Sequence, residues 1–238
     1  DLAELLTIVR RLGLEKNWQE DLAKLVGTAR SNDIAPDKLG GFATTSADSL
    51  LAHFPADTQT DLSGELLSAI RRAIAAIEPV GSDKKNTQGY LTLLKEAVRP
   101  LSLGNLPWSA WVELASSAPE VKLKPMSEPL TDIAKRYAEH PQFQADLRQY
   151  LERIFSLCAR ALDIFSALKR ERGALDFVDQ ENLLLTLLDN PHVSETLAEE
   201  LDLLLVDEFQ DTSPIQLALF LKLAKLAKRV FWVGDIKR

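Results

Sequence analysis

Near the C-terminal end of the chain, two apolar runs of strand length, Leu203–Val206 and residues 230–233, flank a single stretch of helical pattern. No other feature constrains the fold as tightly. Continuous apolar strands joined through one helix cannot close as a tight hairpin; they suit a parallel βαβ unit buried on both faces. The intervening helix has its start signal in Ser213, which can cap it, and in Pro214 at the first helical position, where a missing N–H costs little. The two strands are therefore expected to lie adjacent and parallel. Trp232, alternating within the second run, is expected in the core.

Upstream the pattern is helical. Leu62, Leu66, Leu67, Ile70, Ala73, Ile74 and Ile77 recur at three- and four-residue steps, and Pro79 with Gly81 should close that helix. The same reasoning predicts helices near residues 18–29, 89–98 and 130–139, with loops at Gly40-Gly41, at residues 82–86 and over the proline-bearing stretch 118–129. A helix over residues 141–173, carrying Phe143, Leu147, Tyr150, Leu151, Ile154, Phe155, Cys158, Leu162, Phe165 and Leu168, exceeds the usual length and is expected to link two bodies. Beyond Gly173, Asp176 can cap a helix whose inner face would be Phe177, Leu183, Leu184, Leu187 and Leu188. Asn190-Pro191 should end it, and a short helix should follow from about Ser194.

Composition narrows the function classes. With 238 residues, 46% of them hydrophobic, there is material for one or two packed domains. The formal charge of −7 argues against a chain that holds a phosphate backbone alone, so contact with nucleic acid must use local patches or other parts. One cysteine, Cys158, permits neither a disulfide framework nor a cysteine metal site and suits a reducing compartment. His53, His140 and His192 show no metal-ligand spacing and are expected at the surface or in loops. No apolar run approaches the roughly 20 residues of a membrane span, and no signal-peptide layout is present, so a cytoplasmic protein without membrane partners is expected.

The chemistry concentrates where the first strand ends. Leu203–Val206 runs directly into Asp207-Glu208-Phe209-Gln210-Asp211-Thr212, and in open parallel sheets ligands bind at the carboxyl ends of strands. An apolar strand ending in Asp-Glu is what a Walker B element requires. Asp207 would hold, through water, a Mg²⁺ that bridges nucleotide phosphates, and Glu208 would polarise the attacking water. Taken alone, the dipeptide reads as a polar turn entering a helix. The longer string decides between the two.

The string from Leu204 to Gln216, LLVDEFQDTSPIQ, resembles motif II of the UvrD/Rep family of superfamily 1 DNA helicases. Val233-Gly234-Asp235-Ile236-Lys237 resembles the start of their motif III, and Lys169 to Asp179 is similar to the segment that the RecB and AddA nuclease-helicases carry before motif II. The match covers about the last third of the chain. The helical part resembles, in character, the 1B insertion that interrupts the first RecA-like domain. The expected fold is thus mostly α with a C-terminal α/β portion: a helical 1B-like insertion domain over residues 1–150, then part of a parallel-sheet RecA-like P-loop NTPase domain, the C-terminal part of domain 1A, over 151–238.

The resemblance implies an ATP-dependent helicase or translocase that moves on single-stranded DNA and unwinds duplex in repair or recombination, with ATP and Mg²⁺ as cofactors and a nuclease-helicase partner subunit. It implies catalytic roles for Glu208 and Gln210, with Gln210 coupling the nucleotide site to the DNA groove. Asp207 would serve as metal residue, and Gly234, Asp235 and Arg238 would stand on the nucleotide side. Asp176 and Asp179 are accounted for equally well as an N-cap and a first-turn acid. The family places a glutamine at the position of Arg238, and no Gly-rich loop ending in Gly-Lys-Ser/Thr occurs in the chain. Asp1 lies inside an amphipathic pattern and Arg238 directly follows an apolar run, so a piece of a longer polypeptide, inactive by itself, is expected. The alternative is a degenerate helicase-derived module that serves as a protein or DNA interaction platform; the retention of both Asp207 and Glu208 argues against decay. An unrelated P-loop ATPase fragment conflicts with the extended match from Phe209 to Gln216.

Overall fold

The computed structural model describes residues 2–80 and 84–235, so Gly81 and residues 82 and 83 of the expected loop lie outside the described residues. The chain divides into two compact units, one of Asp1–Gln19 with Gly40–Phe155 and one of Glu20–Leu39 with Ser156–Arg238. The first eight helices are α1 (Leu2–Leu12), α2 (Trp18–Ser31), α3 (Leu39–Leu51), α4 (Leu62–Ile77), α5 (Lys85–Ser102), α6 (Trp108–Ser116), α7 (Lys124–Lys135) and α8 (Pro141–Arg172). They are followed by α9 (Phe177–Leu187), α10 (Pro191–Glu200), β1 (Leu203–Val206), α11 (Pro214–Leu226) and β2 (Arg229–Trp232).

In the first unit α4 organises the core. The Asp61 side chain accepts the Gly64 N–H at 2.9 Å and caps the helix, whose buried stripe is Leu62, Leu66, Ile70, Ala73 and Ile77. The same core cluster takes in Tyr90 and Leu94 of α5, Trp111 and Leu114 of α6, Leu130 and Ala134 of α7, and Phe143 of α8, with α5 and α7 packed against α4. Each fully buried Leu or Ile contributes about 1.5–3 kcal/mol by transfer from water, set against the entropy of ordering the chain. Three expectations need correction here. Gly40 and Gly41 are not a loop: they lie in the first turn of α3, and Leu39, Ala43 and Ala47, four residues apart, are its buried positions. Residues 118–129 are not a loop throughout, since a 3-10 turn, Val121–Leu123, leads into α7, with Pro125 near its start and Pro129 inside it. Lys85 and Asn86 are helical too.

His140 is likewise not a surface residue. Its half-buried ring lies 5.0 Å from Trp108 and 5.5 Å from Trp111, edge-on to both. The Gln142 N–H donates to Nδ1 at 3.1 Å, so Nε2 carries the hydrogen and donates to Ser63 Oγ at 3.0 Å. Burial pulls the imidazole below its ordinary value of 6.5, against the fields of Asp61 and Asp146, which raise it. Asp146 is fully buried and fully engaged: its carboxylate accepts from Arg11 Nε at 2.8 Å and Nη2 at 2.5 Å, from Trp108 Nε1 at 2.8 Å and from Gln142 Nε2 at 2.8 Å. Such saturation is the condition under which a buried carboxylate is tolerated. His53 and His192 are exposed as expected.

The second unit combines the α2 segment with the C-terminal half of α8 and everything after it. Cys158 and Leu162 of α8 are buried. Asp176 caps α9 in a reciprocal capping box with Asp179, and Lys169 pairs with both carboxylates. Arg30 joins them through Asp176 at 2.5 Å, and Arg30 and Lys169 each stand 4.7 Å from the Phe165 ring. Burial raises the Asp176 carboxyl, but the Asp179 N–H, Arg30 and Lys169 more than reverse this and hold it below the ordinary range.

Three further expectations fail in this unit. The inner face of α9 is not Phe177 and the three leucines after it: Phe177 is 82% exposed, and Leu183, Leu184 and Leu187 are exposed as well, while Leu188 is buried. Polar bonds from α11 fix the rotation of α9 instead, with Gln216 Nε2 donating to Glu181 Oε1 at 2.8 Å and Lys222 Nζ to the Leu185 carbonyl at 3.0 Å. Val178, Glu181, Asn182, Leu185 and Leu188 are accordingly half-buried or buried. The strands pair in parallel as expected, with Leu203 opposite Arg229 and Val206 opposite Trp232. The sheet is not buried on both faces, however. Leu204 and Val206 are sheltered where α11 packs on β1, whereas Leu205 is 61% and Phe231 55% exposed. Among the described residues the sheet has two strands. Trp232 is correspondingly not a core residue; it stays 39% exposed and packs edge-on against Phe209 at 5.1 Å.

Candidate functional site

The site begins where β1 stops. Val206 is buried and anchors the strand end, and its carbonyl accepts the Val233 N–H at 2.8 Å, which carries the parallel ladder one step past β2. Asp207 then turns its carboxylate back on the chain, so that Oδ1 accepts the Glu208 N–H at 2.8 Å. Glu208 adopts a left-handed backbone (φ 50°, ψ 40°), a conformation that costs a non-glycine residue of order 1 kcal/mol or more and recurs at functional turns. This reverses the chain into the short 3-10 turn Phe209–Asp211, after which Ser213 caps α11 in a capping box with Gln216, with Pro214 at the first position. The Phe209 N–H donates to the Val233 carbonyl at 3.0 Å and ties the turn to the end of β2.

Gln210 joins the two strand ends. Its Nε2 donates to Glu208 Oε2 at 2.5 Å, and its Oε1 accepts the backbone N–H of Asp235 at 2.8 Å. Gly234 makes this approach possible, because a Cβ at that position would lie 2.5 Å from Gln210 Oε1 and 3.3 Å from the Phe209 nitrogen. Asp207, Glu208, Gln210, Gly234 and Asp235 are thus gathered on one edge of the second unit. Arg238, with Ile236 and Lys237, lies outside the described residues.

Asp207, Glu208 and Asp235 are exposed and Gln210 is half-buried. Among the described residues no three His, Cys, Asp or Glu side chains converge as a ready-made metal cage. A separate cavity of about 570 Å³ in the same unit, lined by Ser166, Lys169, Arg170, Leu175, Asn182 and Leu183, includes none of the site residues. Arg30 and Lys169, which hold the acids at the start of α9, received no role from the sequence. Lys169 stood within a recognisable segment, while nothing local marks Arg30, which lies 146 positions from its partner Asp176.

Comparison with known proteins places these observations in a family. The family model of the UvrD/REP helicase N-terminal domain matches residues 25–238. Among curated relatives, an ATP-dependent helicase/nuclease subunit from Clostridium novyi (strain NT) is 34% identical over 102 residues, covering 39% of this chain and 8% of the relative. The protein of the same name from Geobacillus thermodenitrificans (strain NG80-2) is 29% identical over 181 residues, 65% of this chain and 14% of its own length. That of Listeria monocytogenes serotype 4a (strain HCC23) is 24% identical over 224 residues, 79% of this chain and 18% of its own. The chain therefore spans less than a fifth of the length of each of these three relatives. With the N-terminal domain model of that family matching all but the first 24 residues, the chain belongs to the UvrD/REP helicase family.

Proposed function

We propose that this chain is the 1B insertion together with the C-terminal part of RecA-like domain 1A of an ATP-dependent DNA helicase. The motor would act on single-stranded and duplex DNA in cytoplasmic repair or recombination, alongside a partner subunit of the nuclease-helicase kind. The observation that carries the reading is the Asp207-Glu208 pair at the carboxyl end of a parallel strand, joined through Gln210 to the turn after the neighbouring strand. The helical first unit and the α/β second unit support the assignment to 1B and 1A.

The residues present suit a hydrated Mg²⁺. One oxygen of Asp207 accepts the Glu208 N–H, and the exposed carboxylate can face a cation that keeps most of its waters and needs only one or two carboxylates. When bound, that ion neutralises phosphate charge. Glu208 orients the attacking water and takes its proton, Gln210 couples the nucleotide site to the DNA groove, and Gly234 and Asp235 shape the turn beside it. The phosphate cradle and the second RecA-like domain belong to other parts of the polypeptide.

The test uses the polypeptide that carries this chain together with its phosphate-binding loop. Glu208→Gln keeps the size of the side chain and removes the base, so kcat should fall by roughly 10²–10⁴-fold while ATP binding survives. Asp207→Asn should instead weaken Mg²⁺ binding, and its loss should be partly recovered by added Mg²⁺. Near wild-type turnover in Glu208→Gln would remove the assignment.

A further inference from the structure

We propose that Gln210 is a positioning residue that parks the Glu208 carboxylate against the turn after β2, and that Gly234 is the residue that leaves it room to do so. The proposal rests on the reading of Glu208 as the group that activates water.

Both ends of the Gln210 amide are committed. Nε2 donates to Glu208 Oε2, and Oε1 accepts the N–H of Asp235, 25 positions along the chain. The amide is thus a strap from one strand end to the other. The Glu208 backbone is itself fixed by its left-handed conformation and by the Asp211 N–H, which donates to its carbonyl at 2.9 Å, so the freedom left to this residue is in its side chain. Among the described residues the hydrogen-bond partner of that side chain is the Gln210 amide. A carboxylate oxygen that already accepts an N–H has less to offer an incoming water, and the orientation of the group follows the amide rather than the substrate.

Gly234 completes the device. Its φ is not in the left-handed region, so the glycine is required for space and not for backbone conformation. The atom that a methyl at position 234 would strike first is Gln210 Oε1, the far end of a flexible side chain, while the Phe209 nitrogen at 3.3 Å would have to yield by a few tenths of an ångström. Gly234→Ala therefore displaces the amide from Asp235 before anything else moves. The same geometry gives the strap its function. Whatever moves the Gly234-Asp235 turn away from Gln210 removes the anchor at the acceptor end of the amide and loosens the hold of its Nε2 on Glu208, so the position of that turn biases how readily Glu208 meets the water.

The test has two readouts. In the 238-residue chain, hydrogen exchange should show the Asp235 N–H protected in the wild type and in Gln210→Glu, which keeps the acceptor, and unprotected in Gln210→Ala and Gly234→Ala. In the polypeptide that includes the phosphate-binding loop, all three variants should raise turnover without DNA, on the order of tenfold, the population change expected when a hydrogen bond to a charged group is lost. The ratio of DNA-stimulated to unstimulated rate should narrow accordingly. Gln210→Glu separates the two bonds because it keeps an acceptor for the Asp235 N–H and sets a carboxylate that repels Glu208 where the amide held it; a role confined to bracing the Asp235 turn predicts unchanged DNA-free turnover for it. An unprotected Asp235 N–H in the wild type, or DNA-free turnover that is unchanged or lowered in the three variants, overturns the proposal. A Glu208→Gln control separates the two failures: if it retains turnover, the reading of Glu208 is at fault, and if it is inactive while the Gln210 variants stay slow, parking alone is wrong.

Discussion

His140 shows how much one side chain can depend on neighbours that lie far away in the sequence. As a lone histidine before a proline it carries no pattern, yet it sits edge-on to Trp108 and Trp111 with both ring nitrogens hydrogen-bonded. Its neutral form is the one the fold accepts, because a proton on Nδ1 would displace the Gln142 N–H. Burial lowers the folded-state value below the ordinary 6.5, so between the two values the unfolded chain binds a proton that the folded chain does not. Stability from this group is therefore complete above the ordinary value and is lost as pH falls from there through the depressed one. Urea unfolding followed from neutral to mildly acidic pH should show stability dropping by at most about 1.4 kcal/mol per pH unit from this site. His140→Asn should remove that component of the slope. An unchanged slope in the variant would mean that the loss arises elsewhere.

At the level of elements, what was legible is what local chemistry decides. The stripe of α4, the long α8, both strands and the caps Asp176 and Ser213 follow from periodicity and from side-chain competition for unpaired backbone N–H groups. Glycine and proline misled. Gly40 and Gly41 fall in a first turn, where the N–H groups are unpaired in any helix, and Leu39, Ala43 and Ala47 outweigh their poor propensity by burial. α6 has nine residues, too few to display a period, and is defined by Trp108, Trp111 and Leu114 meeting the α4 core. The rotation of α9 was illegible because Glu181 and Leu185 are set by α11. In the candidate site, the Asp207-Glu208 pair was readable from the strand that precedes it. The strap through Gln210 was not, since it depends on a left-handed Glu208 and on Asp235, 25 positions away in the turn after the second strand. The cap of α9 can be weighed against its ion pairs. Asp176→Ala removes both and should cost about 1–2 kcal/mol in denaturant unfolding. Asp176→Asn keeps an oxygen for the Asp179 N–H and gives up the charge that faces Arg30 and Lys169. Partly exposed ion pairs contribute little, so Asn should recover most of the loss. If Asn is as damaging as Ala, the ion pairs and not the cap hold the start of α9.

For the molecule as a whole, phosphate is the common question, since ATP and DNA both present it. Nothing in the 238 residues forms a Gly-rich loop ending in Gly-Lys-Ser/Thr, and the carboxylates Asp207, Glu208 and Asp235 on one edge repel a polyphosphate unless a cation and a cradle are supplied with it. The isolated chain should therefore show no Mg²⁺-dependent ATP turnover above background, however intact its strand-end geometry. The same balance governs DNA. With 28 basic against 35 acidic residues, the net field opposes a polyanion, and several of the cations are already engaged, as Arg11 is with Asp146 and Lys169 with Asp179. Binding must then rely on a few lysines and arginines at the surface, each releasing about one counterion from the strand. Titration of labelled single-stranded DNA at rising salt should give weak affinity that falls steeply, with a log–log slope of roughly −0.7 for each phosphate contacted. Tight binding that is indifferent to salt would require base stacking or hydrogen bonding strong enough to outweigh the net field of an acidic chain. That result, or measurable turnover, would mean that the nucleotide or the strand sits elsewhere on this chain than at the carboxyl ends of β1 and β2.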